Sequence, residues 1–471
     1  MGKHLFRVGM IALMTFIWCS TASASLTRLQ SMGANPNGLS VGKSGQYIEG
    51  VVAIDDSTNI FTLPGTLALY PSLAIIDNMG WTDDGGATGM FGFHYALGEY
   101  TVMALYGGQG TSSFGLSQST TVGGSASALE AGGGALGTGD IPVEGGVENE
   151  PNLVGNLWFG ALFAHDLGGV RLGLGLHMFS ANNEIVLPEL NSGESSSWQM
   201  DLDLGLGLDF DTEDSLDFGL GLRFGSFEYT GQTVNQPGQQ LGFYTPHNNI
   251  GIDFTGRGKF ALFEGTELVP YGQIMYELES VDDQFPVVAT GQPFGDFTHF
   301  GMEIGTNLKI TPTEKIFIYP GAGFRIDTFT VSVPGVGTSG DLNLDDDSQF
   351  TLPFYGFGVD ARVWDWFAIR FGARQYVKSD TDASKVYVQD TNSDGELVES
   401  ILETEQTRRQ IDTEIHMGFG LFFGENDEWR VDAHLSPAFF VKGPYILTGA
   451  PTTQEGGAEQ MNASIALQYL W

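Results

Sequence analysis

The sequence predicts an all-β chain: a transmembrane antiparallel β-barrel of about sixteen strands, with fourteen as the alternative count. Three observations predict it. Apolar residues alternate with polar residues or glycine in runs of about 10–15 residues along most of the chain. The connections between these runs are alternately short and long. Tryptophans gather at two levels along the runs.

The stretch "MDLDLGLGLDF" (200–210) shows the alternation most plainly. Met200, Leu202, Leu204, Leu206, Leu208 and Phe210 share one face; Asp201, Asp203, Gly205, Gly207 and Asp209 share the other. Successive side chains of a strand point to opposite faces, so the two sets meet different surroundings. A soluble sandwich would bury the leucine face against a second sheet. Its strands usually run only about 5–6 residues, however, and it has no reason to segregate loop lengths.

Sixteen candidate strands follow: 72–81, 87–97, 99–109, 154–166, 169–179, 198–210, 215–229, 248–263, 266–279, 297–310, 315–331, 349–363, 365–378, 407–423, 428–442 and 461–471. Every second connection is a tight turn: "LGE", "LGG", "DTEDS", "EGTE", "TPTE", "VWD" and "GENDE". The others are long (110–153, 180–197, 230–247, 280–296, 332–348, 379–406, 443–460), except the first, "TDDGG". Short turns at one end, long loops at the other and an even strand count describe a bacterial outer-membrane barrel. Trp364, Trp366, Trp429 and Trp471 fall at the short-turn ends, and Trp81 and Trp198 at the long-loop ends. Amphipathic rings at two membrane–water interfaces form two such belts. The leucine face then meets lipid and the Asp/Gly face the lumen.

The chain's opening fits export. Lys3 and Arg7 precede the apolar run "VGMIALMTFIW", which is too short to span a bilayer, and "ASA" at Ala22–Ala24 reads as a cleavage site. Residues 1–24 are therefore expected to be a signal peptide, 25–71 an N-terminal periplasmic or lumen-plug segment, and 72–471 the barrel. Cys19 is the sole cysteine, so disulfides have no place in the mature chain. Without Lys3 and Arg7, 18 basic residues face 57 acidic ones, a formal charge of −39. A surface so acidic repels nucleic acid.

The lumen phase collects charge. Its candidates are Arg171, Asp201, Asp203, Asp217, Arg223, Asp253, Arg257, Glu303, Arg325, Arg370, Arg374, Asp412, Glu414, His416, Arg430 and Asp432. His177, Asp209, His299, Asp327, Asp360, Arg362 and His434 share the phase. Two accounts of them stand open. Acids and arginines brace neighbouring strands by pairing, or they form a field that steers a polar solute. No nucleophile motif accompanies them, and no enzymatic role is expected.

Two further stretches carry chemistry. In "QDTNSDGELVES", Asp390, Asn392 and Asp394 followed by Gly395 match the first half of a calcium loop, although Ile401 stands at position 12. Glu396 and Glu399 are substitute ligands for a candidate Ca²⁺. In "AIDDSTNIFTLPGTLALYPSLAII" (53–76), Asp55, Asp56, Asn59, Pro64 and Leu67 precede a strand beginning near Leu73. This layout resembles the start of the long-chain fatty-acid transporter family, with Leu63-Pro64-Gly65 where that family has Asn-Pro-Ala. The resemblance implies a fourteen-stranded barrel whose N-terminal segment sits in the lumen as a hatch, and passive diffusion of hydrophobic molecules.

The function expected from all this is passive transport of small molecules, hydrophobic ones through a plugged barrel. An open porin for polar solutes and a structural or surface-binding barrel are the alternatives. Expected partners are outer-membrane lipid, a small-molecule solute, and the barrel-assembly machinery, met through the final strand ending at Trp471.

Overall fold

A computed structural model describes residues 25–32, 54, 56–81, 87–110, 152–186, 191–210, 214–236, 239–281, 296–333, 342–391, 397–435 and 463–471. Among these, sixteen strands occur: β1 Ser72–Trp81, β2 Ala87–Ala96, β3 Thr101–Gly110, β4 Asn152–Asp166, β5 Val170–Val186, β6 Asn191–Asp209, β7 Ser215–Gln236 and β8 Gln239–Phe263 in the first half. The second half holds β9 Thr266–Val281, β10 Asp296–Thr313, β11 Ile316–Val333, β12 Leu342–Trp364, β13 Phe367–Thr391, β14 Leu397–Phe423, β15 Trp429–Leu435 and β16 Ala463–Leu470. Each strand pairs antiparallel with its sequence neighbours, and β1 closes on β16 through Leu73↔Leu470 and Ile76↔Leu467. The sixteen-strand count holds, and the fourteen implied by the family resemblance does not.

The alternation puts apolar side chains outside. Leu204 is 44% exposed while its neighbour Asp203 is 7% exposed, which identifies the outward face as the leucine face. Leu172, Leu174 and Met178 on β5, Ile252 and Phe254 on β8, and Ile465 and Leu467 on β16 continue this band around the wall. No described helix is long and apolar enough to cross a membrane. Trp364 and Trp366 stack at 5.5 Å and Trp429 meets Tyr469 at 4.5 Å on the short-turn rim. Trp198 is exposed toward the opposite rim, and the side chain of Trp81 lies outside the described residues.

The long connections are shorter than the sequence suggests. The stretches 180–197, 230–247, 332–348 and 379–406 read as loops, yet the strands run far into each. The β13–β14 hairpin pairs continuously from Phe367↔Leu421 to Thr391↔Leu397. About 9–11 tilted residues cross a bilayer, so much of the 25-residue β13 and 27-residue β14 stands beyond it. Toward that end Thr407, Arg408, Arg409 and Gln410 are all exposed. The apolar half of the alternation is lost while the backbone ladder continues.

Leu204→Arg should cost about 2–4 kcal/mol if this residue lies near the bilayer midplane. Equilibrium unfolding in lipid vesicles measures this, and a cost near zero would contradict a lipid-facing position.

Candidate functional site

The inward face is built of cross-strand rows fixed by register. One row runs Arg171, Gly207, Asp217, Arg257 across β5 to β8. Arg171 Nη2 donates to Asp209 at 2.7 Å and to Asp217 at 3.1 Å, and Arg257 Nε donates to the other Asp217 oxygen at 2.9 Å. Two cations and two anions thus neutralise one another, with Arg171, Asp217 and Arg257 buried and Asp209 at the exposed end. A second row runs His177, Asp201, Arg223, Gly251, Glu277. Arg223 lies 3.5 Å from both Asp201 and Glu277, and His177 lies 3.2 Å from Asp203. Asp253 stands opposite Gly221 in the next row. His299 meets Asp327 at 2.5 Å, and Glu303 faces Arg325 across β10 and β11.

On the far wall, Arg370 bonds Asp360 at 3.2 Å and Asp432 at 2.6 Å. Arg374 donates to Glu414 at 2.6 Å, and Arg325, Arg374 and Lys378 all lie within 6.0 Å of the Tyr376 ring. Arg362 pairs with Asp427 at the turn end, and Arg430 lies 5.6 Å over Phe422. His416 meets His434 at 3.1 Å. The side chain of Asp412 lies outside the described residues. Arg171, Asp217, Arg257, Arg223, Asp201, Arg370, Asp432, Arg374 and Glu414 of the predicted lumen set thus lie within ion-pair distance of an opposite charge.

The N-terminal segment supplies what the sequence reading missed. Helix α1, Leu26–Ser31, packs against β13 to β16 and β1. Arg28 Nε donates to Asp360 at 2.9 Å, and Ser25 Oγ donates to Asp432 at 3.0 Å. Both carboxylates are the ones Arg370 holds. The backbone N–H of Arg28 donates to Ser25 Oγ at 3.0 Å, which closes the ring. Thr27 donates through N and Oγ1 to Asp77 at 3.3 and 2.8 Å. No single strand carries both halves of this ring, so alternation on its own gave no signal for Arg28.

A second piece, residues 56–70, crosses toward β3 to β7. Asp56 caps the 3₁₀ helix Ser57–Phe61, accepting from Thr58 N at 2.9 Å, and lies 3.6 Å from Arg28. Asn59 Nδ2 donates to Ile54 O at 2.9 Å, and Pro64 opens the next 3₁₀ helix, Pro64–Leu69. The backbone at Thr62–Gly65 lies on Gly173, Gly205 and Gly219, a single register row of β5, β6 and β7. A Cβ at any of the three would strike that backbone, which is why glycine alternates with leucine there. Beyond this track the inner face of β1 to β4 is largely apolar, with Asp77 and His94 as buried polar groups on it. Ile75, Met90, Val102, Tyr106, Trp158 and Leu162 pack on Leu29, Ile60, Phe61 and Leu67. The runs "LAII" on β1, "VMALY" on β3 and "LWFGALFA" on β4, apolar in both phases, carry the trace of this wall in the sequence. Tyr70 is held to it by His94, whose Nδ1 donates to the Tyr70 carbonyl at 2.7 Å; Nε2 is then left to accept from Tyr106 Oη at 2.5 Å.

The predicted calcium residues fall largely beyond the description. Asn392, Asp394 and Glu396, like Asp55, lie outside the described residues, and Asp390 and Glu399 lie on the ends of β13 and β14 with undescribed side chains. No group of three or more His, Cys, Asp or Glu is arranged to hold a metal among the described residues.

A closed wall, an apolar outer band, an interfacial tryptophan rim and a charged interior admit one setting. The protein is an outer-membrane β-barrel. No family model matches the chain, and no curated protein matches it. Among solved structures, the toluene transporter TbuX of Ralstonia pickettii is similar over 96% of this chain and 99% of its own, at 11% identity and a TM-score of 0.38. The toluene transporter TodX of P. putida gives 96% and 99% coverage, 10% identity and 0.38. The ferric-catecholate import receptor Fiu of E. coli gives 84% and 81%, 8% and 0.38. Likeness at that level adds nothing to the reading of the residues.

Two outcomes follow from this geometry. Removing one partner of a buried ion pair costs about 3–5 kcal/mol, so Arg28→Met should loosen residues 25–32 and leave the barrel folded. Hydrogen exchange of α1, beside an electrophoretic assay of barrel folding, checks it; unchanged protection would contradict the ring's role. Burial pushes the Asp56 carboxyl up to about 7, against the pull of Arg28 and the bonds from Thr58. The seated segment therefore keeps a proton that a released one, titrating near 3.8, has lost. Seating is firmest below that lower value and weakens as pH rises through about 7. Exchange protection of Ser57–Leu63, corrected for intrinsic rate, should fall from pH 5 to pH 8, and Asp56→Asn should flatten the slope.

Proposed function

We propose that this barrel mediates passive passage of small molecules across the outer membrane, with residues 25–70 acting as a hatch. The observation that carries the reading is the seating of described residues from this segment on two opposed walls. α1 is anchored on the Arg370–Asp360–Asp432 side, and Thr62–Gly65 on the glycine track of β5 to β7. A sixteen-stranded barrel is wide enough for an aqueous channel unless something fills it. Here glycines clear a path for a backbone and ion pairs hold it, which weighs against an unobstructed porin.

The lumen's asymmetry favours a hydrophobic solute. Met90, Val102, Tyr106, Trp158 and Leu162 form an interior apolar face next to the segment. Moving Phe61 and Leu67 away from it would open an apolar path between lipid-side walls and a charged, internally neutralised opposite wall. The acids and arginines of that opposite wall are engaged with one another, which leaves less charge to steer a polar solute.

Single-channel conductance in a planar bilayer tests the proposal. The chain from Ser25 onward should be silent, and a variant lacking residues 25–70 should conduct steadily. Steady conduction by the longer chain would overturn the hatch, and silence from both folded forms would favour a structural or binding barrel.

A further inference from the structure

On the lumen wall of β14 and β15, His416 and His434 bring two imidazole nitrogens to 3.1 Å, Nδ1 of the first against Nε2 of the second. Without an ion, one of these nitrogens must carry a proton and donate to the other. Glu414 Oε2 lies 3.6 Å from His416 Nε2, on the far side of the ring, and Glu414 is itself fixed by Arg374 at 2.6 Å. A carboxylate there favours the proton on Nε2, so the lone pair of His416 Nδ1 points at His434. At 3.6 Å the contact is electrostatic and not a hydrogen bond; closing it would give the arrangement in which an outer carboxylate orients a ligating histidine.

We propose that His416 and His434 form a binding site for a divalent transition-metal ion, with Glu414 as the positioning residue. An ion at the usual Zn–N distance of about 2.0–2.1 Å from both nitrogens would subtend an angle near a right angle across their 3.1 Å separation. That suits the tetragonal geometry of Cu²⁺, which imidazole also binds most strongly in the first-row series. Binding displaces only the proton shared between the two rings. Gly372 stands beside His416 in the register and puts no side chain on that flank, while Gly418, beside His434, is covered by Ser31. The protein supplies two nitrogens, and water takes the remaining positions. The site borders α1, whose Ser31 lies against Gly418, but it does not depend on the hatch reading.

The test uses Cu²⁺ alone, added to the folded full barrel and read by titration calorimetry and electron paramagnetic resonance. One ion per barrel should bind with coupling to two nitrogens, and Zn²⁺ should compete more weakly. His416→Ala and His434→Ala should each abolish the two-nitrogen signal. Glu414→Gln should keep the signal and weaken binding about 10–100-fold, the usual effect of removing an orienting partner. His416→Gln and His434→Gln serve if an alanine variant fails to fold. Either a wild-type barrel with no nitrogen-coupled ion, or a two-nitrogen signal that survives both substitutions, would overturn the proposal.

Discussion

Lipid offers no hydrogen-bond partner to a peptide group, and the rest of the structure follows from that. The sheet must close, as it does where β1 meets β16. Once closed, it has an outside that tolerates only apolar side chains and an inside that receives everything else. Arg171, Asp217, Arg257, Arg370, Asp360 and Asp432 are therefore confined to one narrow surface, where each must find a partner within reach. Buried charges cost too much to stand alone. Register places them in alternating rows, and the rows neutralise themselves.

Glycine plays the complementary part. The "LGLGL" rhythm of β5 and β6, with "FGLGL" on β7, presents apolar side chains to lipid and an absence of side chain to the lumen. Where Gly173, Gly205 and Gly219 align, that absence becomes a track one backbone wide. The N-terminal segment uses the track at Thr62–Gly65 and the arginine–carboxylate ring at Ser25 and Arg28. Both anchors belong to the same wall chemistry that closes the barrel, which ties the seat of the segment to the fold itself.

Strand number and the two faces of each strand were legible because a strand's period of two is a local property. Each residue from Met200 to Asp209 declares its face by its neighbours alone. Three things were not legible. The strands extend into 379–406 and similar stretches, because pairing in water leaves no apolar signature. The apolar lumen wall at Trp158 and Leu162 was hidden because both phases of β4 read alike. The Arg28–Asp360 bond joins residues 332 positions apart, and no local pattern can announce such a contact. Of the segment's expected residues, Asp56, Asn59 and Pro64 all take structural posts, as a cap, a side-chain brace and a helix start.

The central claim is that α1 sits inside the lumen, and a cross-link tests it most directly. A Cβ built on Gly358 of β12 lies 3.4 Å from the Met32 Cβ, close to the separation of about 3.5–4.5 Å found in disulfides. The only native cysteine, Cys19, falls in the segment expected to be cleaved. A Met32→Cys, Gly358→Cys variant, oxidised mildly in intact cells, should form an internal disulfide and resist a water-soluble maleimide. Two free thiols that label readily in a folded barrel would contradict the account.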